Sequence, residues 1–256
     1  MKISVKIDGL DAIQAKLRGL ADSKIKVAAV AALNDAAYVG AQATKKTMAQ
    51  VFDRPTPWVL GGVRYVKARK DKLEASIDFE QWGNKTNVTV AKILQAEIAG
   101  GPRKYKRHET ALQRAGILPT GMFIVPGPGA ALDQYGNMPG SQIVQIIAWF
   151  RAFGEQGYKA NSTDKTRARL AKDKKNGTRG FQYFALPRKV GKLPAGIYQR
   201  FAFSFGSAVK LVMLFVKSPN YKRRLDFYGI AEKAASAEFD RALPMYLDKL
   251  LKERGL

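Results

Sequence analysis

The sequence predicts an α+β fold: an antiparallel sheet flanked by a long N-terminal helix and a C-terminal helix, with a Pro/Gly-rich insertion. Three observations predict it. Apolar residues recur at helical steps near both ends of the chain. Runs rich in β-branched and aromatic residues fill the middle in two groups. Between those groups lies a stretch crowded with Gly and Pro.

Ile3, Val5 and Ile7 alternate with Lys2, Ser4 and Lys6, the period of a half-buried strand. Leu10, Ile13, Leu17 and Leu20 step by three and four, so 10–20 reads as a short amphipathic helix. A longer Ala-rich helix follows from about Ile25 to Val51, with Val27, Val30, Leu33, Ala37, Ala41, Thr44 and Met48 along one side. Small residues on that stripe admit a close neighbour, either a sheet or another subunit. Pro55 and Pro57 stop the helix, because each removes a donor and restrains its predecessor.

Val63–Val66 and Leu73–Phe79 read as two strands joined by a charged tip at Lys67–Lys72, and 87–99 reads as a helix closed by Gly100, Gly101 and Pro102. Residues 116–140 hold ten Gly or Pro, which excludes a helix or a central strand. The apolar Phe123, Ile124 and Val125 within them suggest an ordered excursion pinned to the body. Gln142–Phe153 is helical in period. Residues 159–192 carry eleven Lys or Arg against Asp164 and Asp173, and the run Lys172–Gly177 reads as a mobile loop.

Phe181–Leu186, Gly196–Phe205 and Val209–Val216 form an antiparallel meander with short loops at Pro187–Pro194 and Gly206–Ser207. Phe227–Leu251 is a long helix that Pro244 should kink or divide. The 256 residues are taken as a single α+β domain, with 100–180 as an insertion carrying basic and Pro/Gly-rich loops.

Composition narrows the chemistry. Lys and Arg number 44 against 21 Asp and Glu, a net charge of +23, which favours polyanionic or acidic partners. The absence of cysteine removes disulfides, thiolate metal sites and cysteine nucleophiles. The longest apolar run is Leu211–Val216, six residues where roughly 18 are needed to span a bilayer. The first ten residues lack a signal-peptide core, so a soluble protein is expected.

No phosphate-binding loop, dinucleotide fingerprint, nucleophile elbow or zinc-protease helix is present. The single histidine, His108, sits between Arg107 and Glu109 and reads as electrostatic or structural rather than as a general base. Asp78 and Glu80 share a strand face. They are the nearest thing to a carboxylate–metal pair, and more simply a solvated edge. No catalytic residue, metal site or cofactor is expected.

The basic runs supply candidate contacts for DNA or acidic partners: Arg103, Lys104, Lys106, Arg107, Lys172, Lys174, Lys175 and Arg179. Such side chains either keep a surface solvated or bind phosphates without sequence preference. No helix-turn-helix or aromatic RNA-binding signature points to specific readout. Met122, Phe123, Ile124 and Val125, on an irregular apolar excursion, are the candidate subunit-interface loop.

These features resemble a family. Ile7-Asp8-Gly9-Leu10-Asp11, followed by an amphipathic and then an Ala-rich helix, is similar to tailed-bacteriophage tail completion proteins, the minor tail protein Z group and its head-to-tail joining relatives. The ending is similar too: a strand at Val209–Val216, then Pro219, then a long helix running to a basic C-terminus. The segments 116–127, Leu132–Met138 and Gln142–Ile146 resemble an insertion in prophage members of the group. The likeness touches about two thirds of the chain, which departs from it by the middle insertion and the basic 159–180 stretch.

The resemblance implies a non-enzymatic virion protein, made in the bacterial host cytoplasm. It would complete the tail or neck at the head–tail junction as a homo-oligomeric ring around the DNA channel. Connector, neck and tail proteins, and packaged double-stranded DNA, are the implied partners; no membrane is involved. The alternative is a sequence-independent nucleic-acid-binding protein outside any particle.

Overall fold

The structure is a computed structural model that describes residues 2–6, 22–80, 88–173, 177, 179–203, 206–217 and 220–253. The helix expected at 10–20 lies outside them. The order is β1 (Lys2–Lys6), α1 (Asp22–Val51), α2 (Pro57–Gly61), β2 (Val63–Val66), β3 (Glu74–Phe79), α3 (Val90–Ala99) and α4 (Arg107–Arg114). Then come β4 (Met122–Pro126), α5 (Gly140–Trp149), α6 (Asp164–Leu170), β5 (Gln182–Leu186), β6 (Gly196–Phe203), β7 (Gly206–Lys217) and α7 (Phe227–Lys252). The α+β class is as expected: long helices near both ends, antiparallel sheets between.

The expected single domain is instead two compact units, one of Met1–Gly101 with Lys222–Leu256, the other of Pro102–Tyr221. Each has its own apolar cluster, which is the physical reason for the division. The interruption of the first unit also runs well past residue 180. The meander β5–β6–β7 belongs to the second unit because its aromatic faces pack against α5 there.

In the first unit the sheet order is β1-β3-β2, antiparallel throughout, with Ile3 opposite Ile77 and Val63 opposite Phe79. Ala75, Ile77 and Phe79 point into the core, as alternation along β3 requires. The Ala-rich side of α1 packs on this sheet and on α7. Ala29, Ala32, Ala36, Ala37 and Ala41 of α1 and Ala231, Ala235 and Ala242 of α7 are all buried. A Cβ at Gly40 would lie 2.6 Å from the Ile77 side chain and 3.0 Å from the Ala231 carbonyl oxygen, so only glycine fits there without movement. Of the expected stripe, Val27 is exposed, because the buried side turns toward Ala28 and Ala32 at that end.

Side-chain clasps fix the rest. Asn34 accepts from the Ala68 amide at 2.7 Å and holds the β2–β3 tip against α1. Glu97 at the end of α3 takes two hydrogen bonds from Arg224, at 2.7 and 2.8 Å. Its carbonyl accepts from the Arg224 and Leu225 amides, tying α3 to the approach of α7. Helix α7 runs unbroken through Pro244, which sits on its exposed side, and Tyr246 donates to Asp35 of α1 at 2.6 Å.

In the second unit the sheet order is β4-β7-β6-β5, antiparallel, with Met122 opposite Lys217 and Gly196 opposite both Leu186 and Leu214. Buried Ile146, Ile147 and Trp149 of α5 cover this sheet, and the Trp149 indole donates to the Tyr183 carbonyl at 2.8 Å. The supposed interface loop is an edge strand. Phe123 and Ile124 are buried, Met122 and Val125 half-buried, so these four residues are core and ladder rather than a free apolar surface. Beyond Pro126 the pairing continues through Gly127, where an added Cβ would come within 2.4 Å of the Leu211 oxygen.

Residues 174–176, the middle of the run expected as a mobile loop, lie outside the described residues; the chain on either side of them is pinned. Thr163 caps α6, Asn161 clasps both backbone groups of Phe153, and the Asp173 carboxylate accepts from the Gly180 amide.

Candidate nucleic-acid interface

The positive charge is unevenly shared. Residues 102–221 carry 20 Lys and Arg against five Asp and Glu, while the remainder carries 24 against 16. Four of those five acids are already engaged: Glu109 with Arg103, Asp164 with Arg151, and Asp133 and Asp173 with backbone amides. Most of the described Lys and Arg of the second unit are exposed.

The first expected cluster divides. Arg103 does not face solvent: its side chain is 12% exposed and its guanidinium forks onto Glu109 at 2.7 and 2.5 Å. Glu109, fully buried at the start of α4, also accepts from the Lys106 amide at 2.6 Å and the Ile124 amide at 2.7 Å. The sandwich is completed by Phe123, which Arg103 overlies at 4.8 Å and on which Tyr105 stacks at 4.4 Å. Burial pushes the Glu109 carboxyl upward, but Arg103 and the two amides outweigh it, and its pKa lies below the ordinary value. The arrangement is a structural knot joining α4 to β4. Lys104, Lys106 and Arg107 stay exposed around it.

His108, half-buried beside this knot, has its pKa pushed down from 6.5 to about 4 by burial and then by the Lys106 and Arg103 charges. At neutral pH it is an uncharged imidazole.

Of the second expected cluster, Lys172 is exposed, while Lys174 and Lys175 lie outside the described residues. Arg179 lies 4.4 Å over the ring of Phe203, the last residue of β6. Lys210 over Phe201, at 5.3 Å, continues the same motif. Arg200 over Phe184, at 4.7 Å, places a third cation on a ring of the meander.

A further basic group was not singled out in the sequence. At the opposite end of the meander, Arg188, Lys189 and Lys192 are exposed on the turn between β5 and β6. Val190 and Leu193 exchange backbone hydrogen bonds of 2.9 and 3.0 Å across Gly191, whose φ is 56°. The sequence did hold a signal: Gly-Lys between two apolar residues, bracketed by Pro187 and Pro194.

Asp78 lies opposite Arg64 and Lys2 in the ladders, and Glu80 meets Arg64 at 3.6 Å. Among the described residues no three His, Asp or Glu side chains converge to hold an ion. None of the helices among them is long and apolar enough to cross a membrane. Comparison with models of protein families, with characterised proteins and with solved structures gives no significant match.

Proposed function

We propose that the protein is a structural component of a tailed-phage virion, completing the tail or neck at the head–tail junction as a ring around the DNA channel. The observation that carries this reading is the uncompensated positive charge of the second unit, held on side chains around a tightly pinned scaffold. A surface of that sign suits a neighbour that is itself a polyanion. The resemblance of the two ends of the chain to tail completion proteins supplies the setting. A heterologous interface must close to give a ring rather than a filament.

Particles purified from an induced producing strain test the proposal by quantitative mass spectrometry against the major capsid protein. The expected result is a small fixed copy number, about six or about twelve, as a closed ring demands. Absence from particles while the protein is abundant in the cell overturns it. The same charge asymmetry favours a second reading, a sequence-independent nucleic-acid-binding protein outside any particle. That reading predicts cell-associated protein bound to DNA, with binding that collapses as salt rises.

A further inference from the structure

We infer that the β5–β6 turn, Pro187–Pro194, is a duplex-DNA-binding element that enters the major groove of B-DNA. Turn positions ordinarily hold small or polar residues. Here Val190 is 53% and Leu193 36% exposed, side by side as a hydrogen-bonded cross-strand pair that directs both side chains to one face. Arg188, Lys189 and Lys192 flank that pair within five residues, with no acidic residue between Gly180 and Lys217 to offset them.

The turn is seated firmly. The Tyr198 hydroxyl, on a fully buried side chain stacked against Phe184, donates to the Pro194 carbonyl at 2.7 Å. The Phe215 amide donates to the Ala195 carbonyl at 3.0 Å. A preorganised tip loses little conformational freedom on binding.

A two-stranded ribbon fits the B-DNA major groove, roughly 12 Å wide, where aliphatic side chains meet thymine methyl groups. The flanking cations then reach phosphates. Duplex DNA is favoured over an anionic membrane because the apolar tip is only two aliphatic side chains, with no aromatic anchor. The unit's cations also continue to the other end of the sheet, at Arg179, Arg200 and Lys210, rather than lying in one plane at the tip. This inference does not require the virion reading.

The test is fluorescence anisotropy with the full chain and a labelled duplex of about 30 base pairs, from about 50 to about 200 mM salt. Replacing the three cations together (Arg188→Ser, Lys189→Ser, Lys192→Ser) should make the slope of log K against log salt shallower by roughly 3 and weaken binding at least about tenfold. Val190→Ser with Leu193→Ser should leave the slope unchanged and weaken binding about fivefold. Both variants alter exposed side chains, so neither should melt below the parent. Lys104→Ser with Arg107→Ser serves as the comparison for loss of charge elsewhere in the unit.

Equal slopes and affinities in the parent and the triple variant overturn the inference. So does a parent chain that fails to bind the duplex. A tip-dependent affinity seen only with phosphatidylserine vesicles, and not with DNA, overturns it in favour of a membrane surface.

Discussion

Glu109 shows how a single carboxylate organises this protein. It is surrounded by the Arg103 fork and two backbone amides, which fill its acceptor positions. Glu109→Ala leaves a buried guanidinium and two amides without their acceptor, which should cost about 3–5 kcal/mol. Chemical denaturation followed by Trp149 fluorescence, with Trp58 and Trp82 replaced by Phe, measures it in the second unit. The neighbouring His108 sets a separate pH window. Its folded pKa is lowered, so the unfolded chain takes up the proton first as pH falls, and stability is complete above 6.5 and declines toward about 4. Glu109 acts below that: its folded pKa is depressed, so its contribution is present above 4.5 and lost as pH falls through the lowered pKa. In His108→Gln the decline between about 6.5 and about 4 should flatten while the more acidic loss remains.

At the scale of elements, the α1–α7 pair depends on small residues in register. Gly40→Val should destabilise the first unit by about 1–3 kcal/mol or more, since its side chain meets Ile77 and the Ala231 backbone. Thermal melting of the variant checks this. Most such elements were legible from sequence. Val63–Val66 emerges with the expected bounds, and β3, α3, the meander and α7 emerge within a few residues, because each carries its own period and its own stops. What was not legible depends on distant partners. Pro126 and the glycines around it read as a loop, yet β7, some 90 residues later, supplies a ladder that makes Met122–Pro126 a strand. Arg103 read as a surface contact for the same reason: nothing in its spacing reveals that it forks onto a buried Glu109 and overlies Phe123. The Val190–Leu193 tip passed unnoticed because two exposed aliphatic residues beside cations have no signature until the turn between them is known.

Across the whole molecule, the two units differ in charge as well as in core. Calorimetry should resolve two transitions, one for each cluster of buried residues. Added salt should raise the midpoint of the second unit more than that of the first, because screening relieves the larger self-repulsion. Coincident midpoints with equal salt response would contradict this. The charge division also places the basic residues where the backbone is held by clasps such as Asn161 and Asp173, rather than on free tails.

The interrupted path of the first unit also dictates an order of events on the ribosome. Domains are made from the N-terminal end and usually fold in that order. Here the partner of α1 is α7, whose residues emerge only after the whole of 102–221 has been synthesised. The inserted unit therefore holds all its core-forming segments first. The earlier-born sheet and Ala-rich helix must wait, apolar side uncovered, for the last thirty-odd residues to close over them.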